Sequence, residues 1–302
     1  MTEGYQLGEM QDVFRSIDPL IKSLIQNHRK NSVRWMPHEV LPWGRGEDFV
    51  EKPWRPDQCQ LRPEIVVAFE TNLLTEDNLP YYHAIIERMV APDSALAEWN
   101  RLWTSEEATH SQSMRDYVHL MRLIDPSVLE RNRLAFMQQG FERNFKNPFE
   151  VFAYTSAQEV ATRISHLAVG QKAKEPVLSN LLNLISRDEN FHYIFYRSVV
   201  KGVLEIAPHL MLPAIMSQLF GFGMPGKTME GFAERSAIFA TERIFGAREF
   251  RDHVVKPILV YWQIDKLRNL SPEVEKIQER ILKLERVLDR VVEREPKEGT
   301  WA

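Results

Sequence analysis

The chain has 302 residues, 44% of them hydrophobic and 10% aromatic, which is enough apolar surface for a sizeable core and too much for a disordered segment. Its formal net charge of −4, with acids and bases interspersed, provides no basic field for a nucleic-acid backbone. Cys59 is the single cysteine, so a disulfide framework and any cysteine-based zinc or iron–sulfur site within one chain are excluded, and a metal would have to be held by His and carboxylates.

Every apolar stretch is broken by charge or Pro well before the ~18 residues a membrane span needs, so none is expected. The first twenty residues carry Glu3, Glu9, Asp12 and Asp18 against Arg15, unlike a signal or transit peptide, and a cytoplasmic location is expected. With 13 Gly and no alternating pattern bounded by Asn-Gly or Asp-Gly, the chain reads as all-α. In chain order, an amphipathic segment over 9–30 is followed by an irregular Pro- and Trp-rich stretch from Trp35 to Pro63. A long helix is expected over 63–89. The next, over 94–124, is capped by Asp93 or Ser94 and stopped by Asp125-Pro126. A shorter helix fills 127–144. Asn147-Pro148-Phe149-Glu150 then opens a helix over 148–169, with Asn147 as cap and Glu150 placed for a capping box. Pro176 opens another over 176–205. Further helices are expected over 209–221, 228–246 and 247–269. The last runs from Pro272 to Glu295 with an apolar stripe of Val274, Ile277, Ile281, Leu284, Leu288 and Val291. No linker or low-complexity segment interrupts the pattern, so 1–302 is expected to be a single domain, the helices over 209–295 being additions to the rest.

Two segments share the spacing Glu-x-x-His: Glu107 with His110, and Glu189 with His192. Three residues along a helix place both side chains on one face about 4.5 Å apart along the axis, within reach of one metal ion. Roughly one such pair would arise by chance in a chain of this composition, so the spacing alone carries little. Its context carries more. Glu76 lies 31 residues before Glu107 and Glu159 lies 30 before Glu189, so a helix bearing Glu followed by a helix bearing Glu-x-x-His is used twice. That is the ligand set of a four-helix di-iron bundle: Glu76, Glu107, His110, Glu159, Glu189 and His192. Four carboxylates neutralise two divalent ions, and hard oxygen donors with one imidazole per ion suit Fe or Mn better than Zn. Glu106 and Asp188 each precede a ligand, placed to accept the outer ring N–H of a ligand His. Pro80 follows Glu76 by four residues and disturbs the helix beside it. Thr162 shares the Glu159 face, where its hydroxyl is placed to assist proton delivery. His166, two turns on along that stripe, is expected to support rather than to ligate.

At this point the sequence resembles the soluble acyl-acyl-carrier-protein desaturases, the plant stearoyl type and its bacterial relatives. The resemblance is carried by Trp54-Arg55-Pro56, by Thr75-Glu76-Asp77-Asn78-Leu79-Pro80 and by Trp103-Thr104-Ser105-Glu106-Glu107-Ala108-Thr109-His110. It continues through Tyr154-Thr155-Ser156-Ala157-Gln158-Glu159-Val160-Ala161-Thr162 with Ile164-Ser165-His166, then Asp188-Glu189-Asn190-Phe191-His192 and Asp265-Lys266-Leu267. It implies a ferritin-like di-iron fold and a homodimer. It also implies O2-dependent formation of a cis double bond in a fatty acyl chain held on acyl carrier protein, with electrons from ferredoxin. By the same resemblance the six residues above bind two Fe ions, with Mn as the alternative. Thr162 is the hydroxyl near the oxygen site, and Trp54 with Asp188 flanks His110 on the electron route. Two departures stand out. Thr109 and Phe191 occupy the positions where the plant boxes carry Arg, and Val151 and Arg88 fall where those enzymes keep small residues around the acyl tunnel.

Docking of an acidic carrier on a chain of negative net charge needs a local basic surface. Two candidates are His28-Arg29-Lys30 with Arg34, and Lys266 with Arg268, Lys276, Arg280 and Lys283. Other functions fit less well. A ribonucleotide reductase small subunit would begin its ligands with Asp and carry a radical Tyr where Met114 stands, and an iron store would not need the helices after residue 205. A catalytically weak acyl-carrier or lipid-binding homologue that keeps the metal scaffold remains the alternative.

Overall fold

The computed structural model describes residues 2–294, with side chains from residue 9 onward, and every regular element among them is helical. The segment expected as one helix over 9–30 is two, α1 (Thr2–Ser16) and α2 (Asp18–Asn31). Pro19 has no N–H to give the Arg15 carbonyl, so the chain turns at Ile17. A single turn α3 (Pro37–Val40) follows within the irregular stretch.

The 63–89 helix is likewise divided, into α4 (Pro63–Asp77) and α5 (Leu79–Met89). Pro80 cannot donate to the Glu76 carbonyl, and Asn78 takes over the turn, its side-chain amide donating to the Gly140 carbonyl at 3.2 Å. Ser94 caps α6 (Ala95–Leu120), its hydroxyl accepting from the Ala97 N–H at 3.2 Å. Helix α7 (Pro126–Gln139) ends at Gly140, whose φ of 75° suits glycine, so it stops short of 144. Asn147 caps α8 (Pro148–Ala173) by accepting from the Glu150 N–H at 3.0 Å. Glu150 returns the bond to the Lys146 N–H rather than to that of Asn147, so the box is shifted by one residue.

Helix α9 (Pro176–Ile206) packs along α8 more extensively than any other pair of elements. Gly170 permits this approach: a Cβ there would sit 3.3 Å from the Leu182 Cβ. Helices α4 and α6 complete the bundle, and α2 lies against both α6 and α9. The remaining helices are α10 (Pro208–Phe220), α11 (Phe232–Thr241), α12 (Ala247–Glu249), α13 (Lys256–Trp262), α14 (Pro272–Leu282) and α15 (Leu284–Val292). A π-helical turn, Phe250–Val255, joins α12 to α13. The terminal helix breaks at Lys283, which shifts its register: Val292 is buried while Val291, assigned to the apolar stripe, is 45% exposed. Glu295, where that helix was expected to end, lies outside the described residues.

Candidate metal centre

Helices α4, α6, α8 and α9 bring the six predicted ligands together in the bundle core, all of them buried. Their donor atoms fall into two sets, each within 4.8 Å: Glu76, Glu107, His110 and Glu189, then Glu107, Glu159, Glu189 and His192. Glu107 and Glu189 belong to both. The oxygens of Glu107 divide between the imidazoles, Oε2 lying 3.4 Å from His110 Nδ1 and Oε1 2.9 Å from His192 Nδ1. Those of Glu189 divide in the same way, Oε1 at 3.6 Å from His110 Nδ1 and Oε2 at 3.8 Å from His192 Nδ1. Glu107 and Glu189 thus each face both imidazoles, whereas Glu76 and Glu159 each belong to one set.

A metal pair fits the donor set. The inward atoms His110 Nδ1, His192 Nδ1, Glu189 Oε2 and both oxygens of Glu159 are buried and make no hydrogen bond. They crowd toward common points at ion-pair distances without the directionality of a hydrogen bond, which in a protein core is costly unless something else satisfies them.

The charges agree. Burial and the neighbouring Glu107 and Glu189 charges push Glu76 well above the usual carboxylate range, and burial with Glu189 does the same to Glu159. Burial opposes charge on His110 and His192, but the surrounding carboxylates outweigh it and hold both well above the usual imidazole range. Against burial, the two imidazoles hold Glu107 and Glu189 low. Metal loading is therefore expected to release protons from the site, because carboxylate and imidazole ligands bind a metal in their deprotonated forms. Titration with a divalent ion in weak buffer with a pH indicator checks this; no release would contradict the ligand set.

Outside the ligands, each acid that precedes a ligand reaches across to the opposite imidazole. Asp188 Oδ2 accepts from His110 Nε2 at 3.2 Å, and Glu106 Oε2 accepts from His192 Nε2 at 2.8 Å. Both contacts leave Nδ1 of each ring facing the donor sets, the orientation a metal ligand would need. His166 is in neither donor set. Asn72 donates to its Nδ1 at 3.4 Å, so Nε2 carries the hydrogen and donates to Glu76 Oε1 at 3.2 Å. Burial lowers its pKa to about 4, so the ring is neutral. Thr162 is buried, and its hydroxyl donates to the Glu159 carbonyl at 2.9 Å.

Trp54 is not beside Asp188. Its indole N–H donates to the Arg122 carbonyl at 2.9 Å, and Trp35 holds the place assigned to it. Trp35 donates to Asp188 Oδ2 at 2.7 Å and lies parallel to the His110 ring, with centroids 6.4 Å apart. Both tryptophans come from the same irregular stretch, which has no periodicity to rank them. Trp35 is also part of the wall of a cavity of about 350 Å³ that reaches His28, Arg34, Glu106, Thr109 and Asp188.

On the carboxylate side lies an apolar pocket walled by Tyr82, Trp103, Phe141, Val151, Tyr154 and Thr155, with only about 20 Å³ free. Val151 lines this pocket, whereas Arg88 is exposed and donates to the Ala84 carbonyl. Phe141, Tyr154 and Pro225 are shared with an adjoining cavity of about 240 Å³ that carries Arg143 and Lys227. Among the described residues no helix is long and apolar enough to cross a membrane.

Comparison with known proteins agrees with this geometry. The family model described as fatty acid desaturase matches residues 9–300. DesA1 of Mycobacterium tuberculosis, an acyl-acyl-carrier-protein desaturase by name, is 32% identical over 287 residues, covering 91% of this chain and 85% of its own. The chloroplastic stearoyl-acyl-carrier-protein 9-desaturase 6 of Arabidopsis thaliana is 29% identical over 312 residues, covering 95% and 79%. The X-ray structure of DesA2 from Mycobacterium tuberculosis shares the fold with a TM-score of 0.71 at 21% identity, covering 88% of this chain and 99% of that one. The chain belongs to the fatty acid desaturase family.

Proposed function

We propose that the chain is an O2-dependent di-iron desaturase that forms a cis double bond in a fatty acyl chain carried on acyl carrier protein, with electrons from ferredoxin. The observation that carries this reading is the pair of interlocked donor sets with Glu107 and Glu189 common to both, set beside an apolar aromatic pocket. Fe is the proposed metal and Mn the alternative, because the set is oxygen-rich with one imidazole per ion. The apolar cluster that runs from Phe14 to Leu284 supports reading the chain as one domain. The homodimer is proposed on the family resemblance and is checked by light scattering.

The balanced reaction takes –CH2–CH2–, O2, two electrons and two protons to –CH=CH– and two waters. When bound, the metal pair supplies the oxidising power that an unactivated C–H bond demands. The protein residues do the rest. Tyr82, Trp103, Phe141 and Tyr154 orient the chain and exclude water from the carboxylate side. Thr162 Oγ1 is the proposed proton carrier on the Glu159 face, and it must turn from the Glu159 carbonyl to act. Electrons are proposed to enter on the other side, through Trp35, Asp188 and His110. Mass spectrometry of the acyl chains after incubation with acyl carrier, reduced ferredoxin and O2 is expected to show loss of two hydrogens. Unchanged chains from protein with a full metal complement would favour the catalytically weak acyl-carrier or lipid-binding homologue.

Carrier docking is expected at exposed basic residues. The candidates are Arg29, Lys30 and Arg34, and Lys266, Arg268, Lys276, Arg280 and Lys283, all of them exposed, with Arg29 and Lys283 paired to Glu98 and Glu279. His28 drops out of the first, because it is buried. Affinity for the carrier is expected to fall as the Debye length shrinks from ~10 Å at 0.1 M salt to ~3 Å at 1 M. Indifference to salt and to reversal of both charge groups would point to a free acid or coenzyme-A ester as the substrate.

A further inference from the structure

The surroundings of the two ligand imidazoles are built alike but from different residues. On one half, Trp35 holds Asp188 and Asp188 holds His110. On the other, Glu106 is strung between two rings: Oε2 takes the N–H of His192 at 2.8 Å, and Oε1 lies 2.9 Å from His28 Nε2. His28 comes from α2, outside the bundle and outside both Glu-x-x-His segments. Its side chain is only 4% exposed. The ring stacks on that of His192 at 6.0 Å and meets Trp99 edge-on at 5.0 Å and Phe191 at 5.8 Å, so its plane is fixed from three sides.

Glu106 needs such a partner. Its side chain is 25% exposed on the wall of the 350 Å³ cavity, and a carboxylate that water can reach can swing away from the imidazole it orients. Thr109 and Phe191, which precede the two ligand histidines, give it no help: the Thr109 hydroxyl is spent on the Ser105 carbonyl, and Phe191 has no polar group. We propose that His28 is a positioning residue for the metal centre: by pinning Glu106 it fixes the ring of His192, and with it the ion shared by Glu159, Glu189, Glu107 and His192. This rests on the metal-centre reading above.

The test uses the Co(II)-loaded protein, in which the outer N–H protons of His110 and His192 give paramagnetically shifted, solvent-exchangeable proton resonances. His28→Leu keeps bulk and removes the donor, whereas His28→Gln can restore an N–H near the Nε2 position. In His28→Leu, one of the two resonances is expected to exchange faster and one of the two Co(II) binding steps to weaken about tenfold, the other of each staying as in the wild type. His28→Gln is expected to recover both. Two unaltered resonances and unaltered binding steps in His28→Leu would overturn the proposal. So would equal loss at both ions with a lower melting temperature of the metal-free protein, which marks a merely structural residue. If the wild type itself fails to take up two ions, the metal-centre reading fails first, an outcome distinct from a silent His28 variant.

Discussion

Glu189→Ala is expected to lose both metal ions and all desaturase activity, whereas Glu159→Ala is expected to lose activity but to keep one ion. The difference follows from geometry. Glu189 belongs to both donor sets and turns one oxygen to each imidazole, while Glu159 belongs to one. Removing a shared carboxylate leaves both ions short of a ligand and places unbalanced positive charge in a buried site. The loaded proteins should also melt lower, because an ion that binds only the folded state stabilises it by mass action, and Glu189→Ala forfeits that contribution for both sites. Metal analysis after gel filtration checks the order. Unchanged metal content in both variants would show that other residues hold the ions.

Trp35→Phe is expected to leave metal content and acyl binding intact while slowing reduction of the centre by about tenfold or more, whereas Trp54→Phe should turn over normally. The indole of Trp35 lines the large cavity together with Asp188, in hydrogen bond with the carboxylate that orients His110, and a phenyl ring cannot make that bond. Trp54 bonds a backbone carbonyl elsewhere. Stopped-flow reduction by ferredoxin separates the two. A normal rate in Trp35→Phe, or a slow one in Trp54→Phe, would remove Trp35 from the route.

The six converging residues were readable in the sequence because helical spacing fixes which side chains share a face, and the doubled Glu and Glu-x-x-His arrangement supplied the partners. The caps at Ser94 and Asn147 were readable for a similar reason, since their side chains act within one turn. What escaped is non-local or irregular. Trp35 and Trp54 share a stretch without periodicity, so only the folded chain distinguishes them. His28 sits in a His-Arg-Lys run that has the composition of a solvated face, and nothing local signals that its ring turns inward to Glu106. Helix breaks at Asn78 and Lys283 escaped in different degrees. Pro80 announced the first, whereas no proline marks the second, and the missed break reversed the burial of Val291 and Val292.

How many ions the folded chain holds, and whether they are neighbours, decides whether this is a di-metal centre. Metal analysis with Mössbauer spectroscopy of protein loaded with ⁵⁷Fe tests both at once. Two iron ions per chain, magnetically coupled in the oxidised state, are predicted from the carboxylates common to both donor sets. A single ion per chain, or two uncoupled ones, would contradict it.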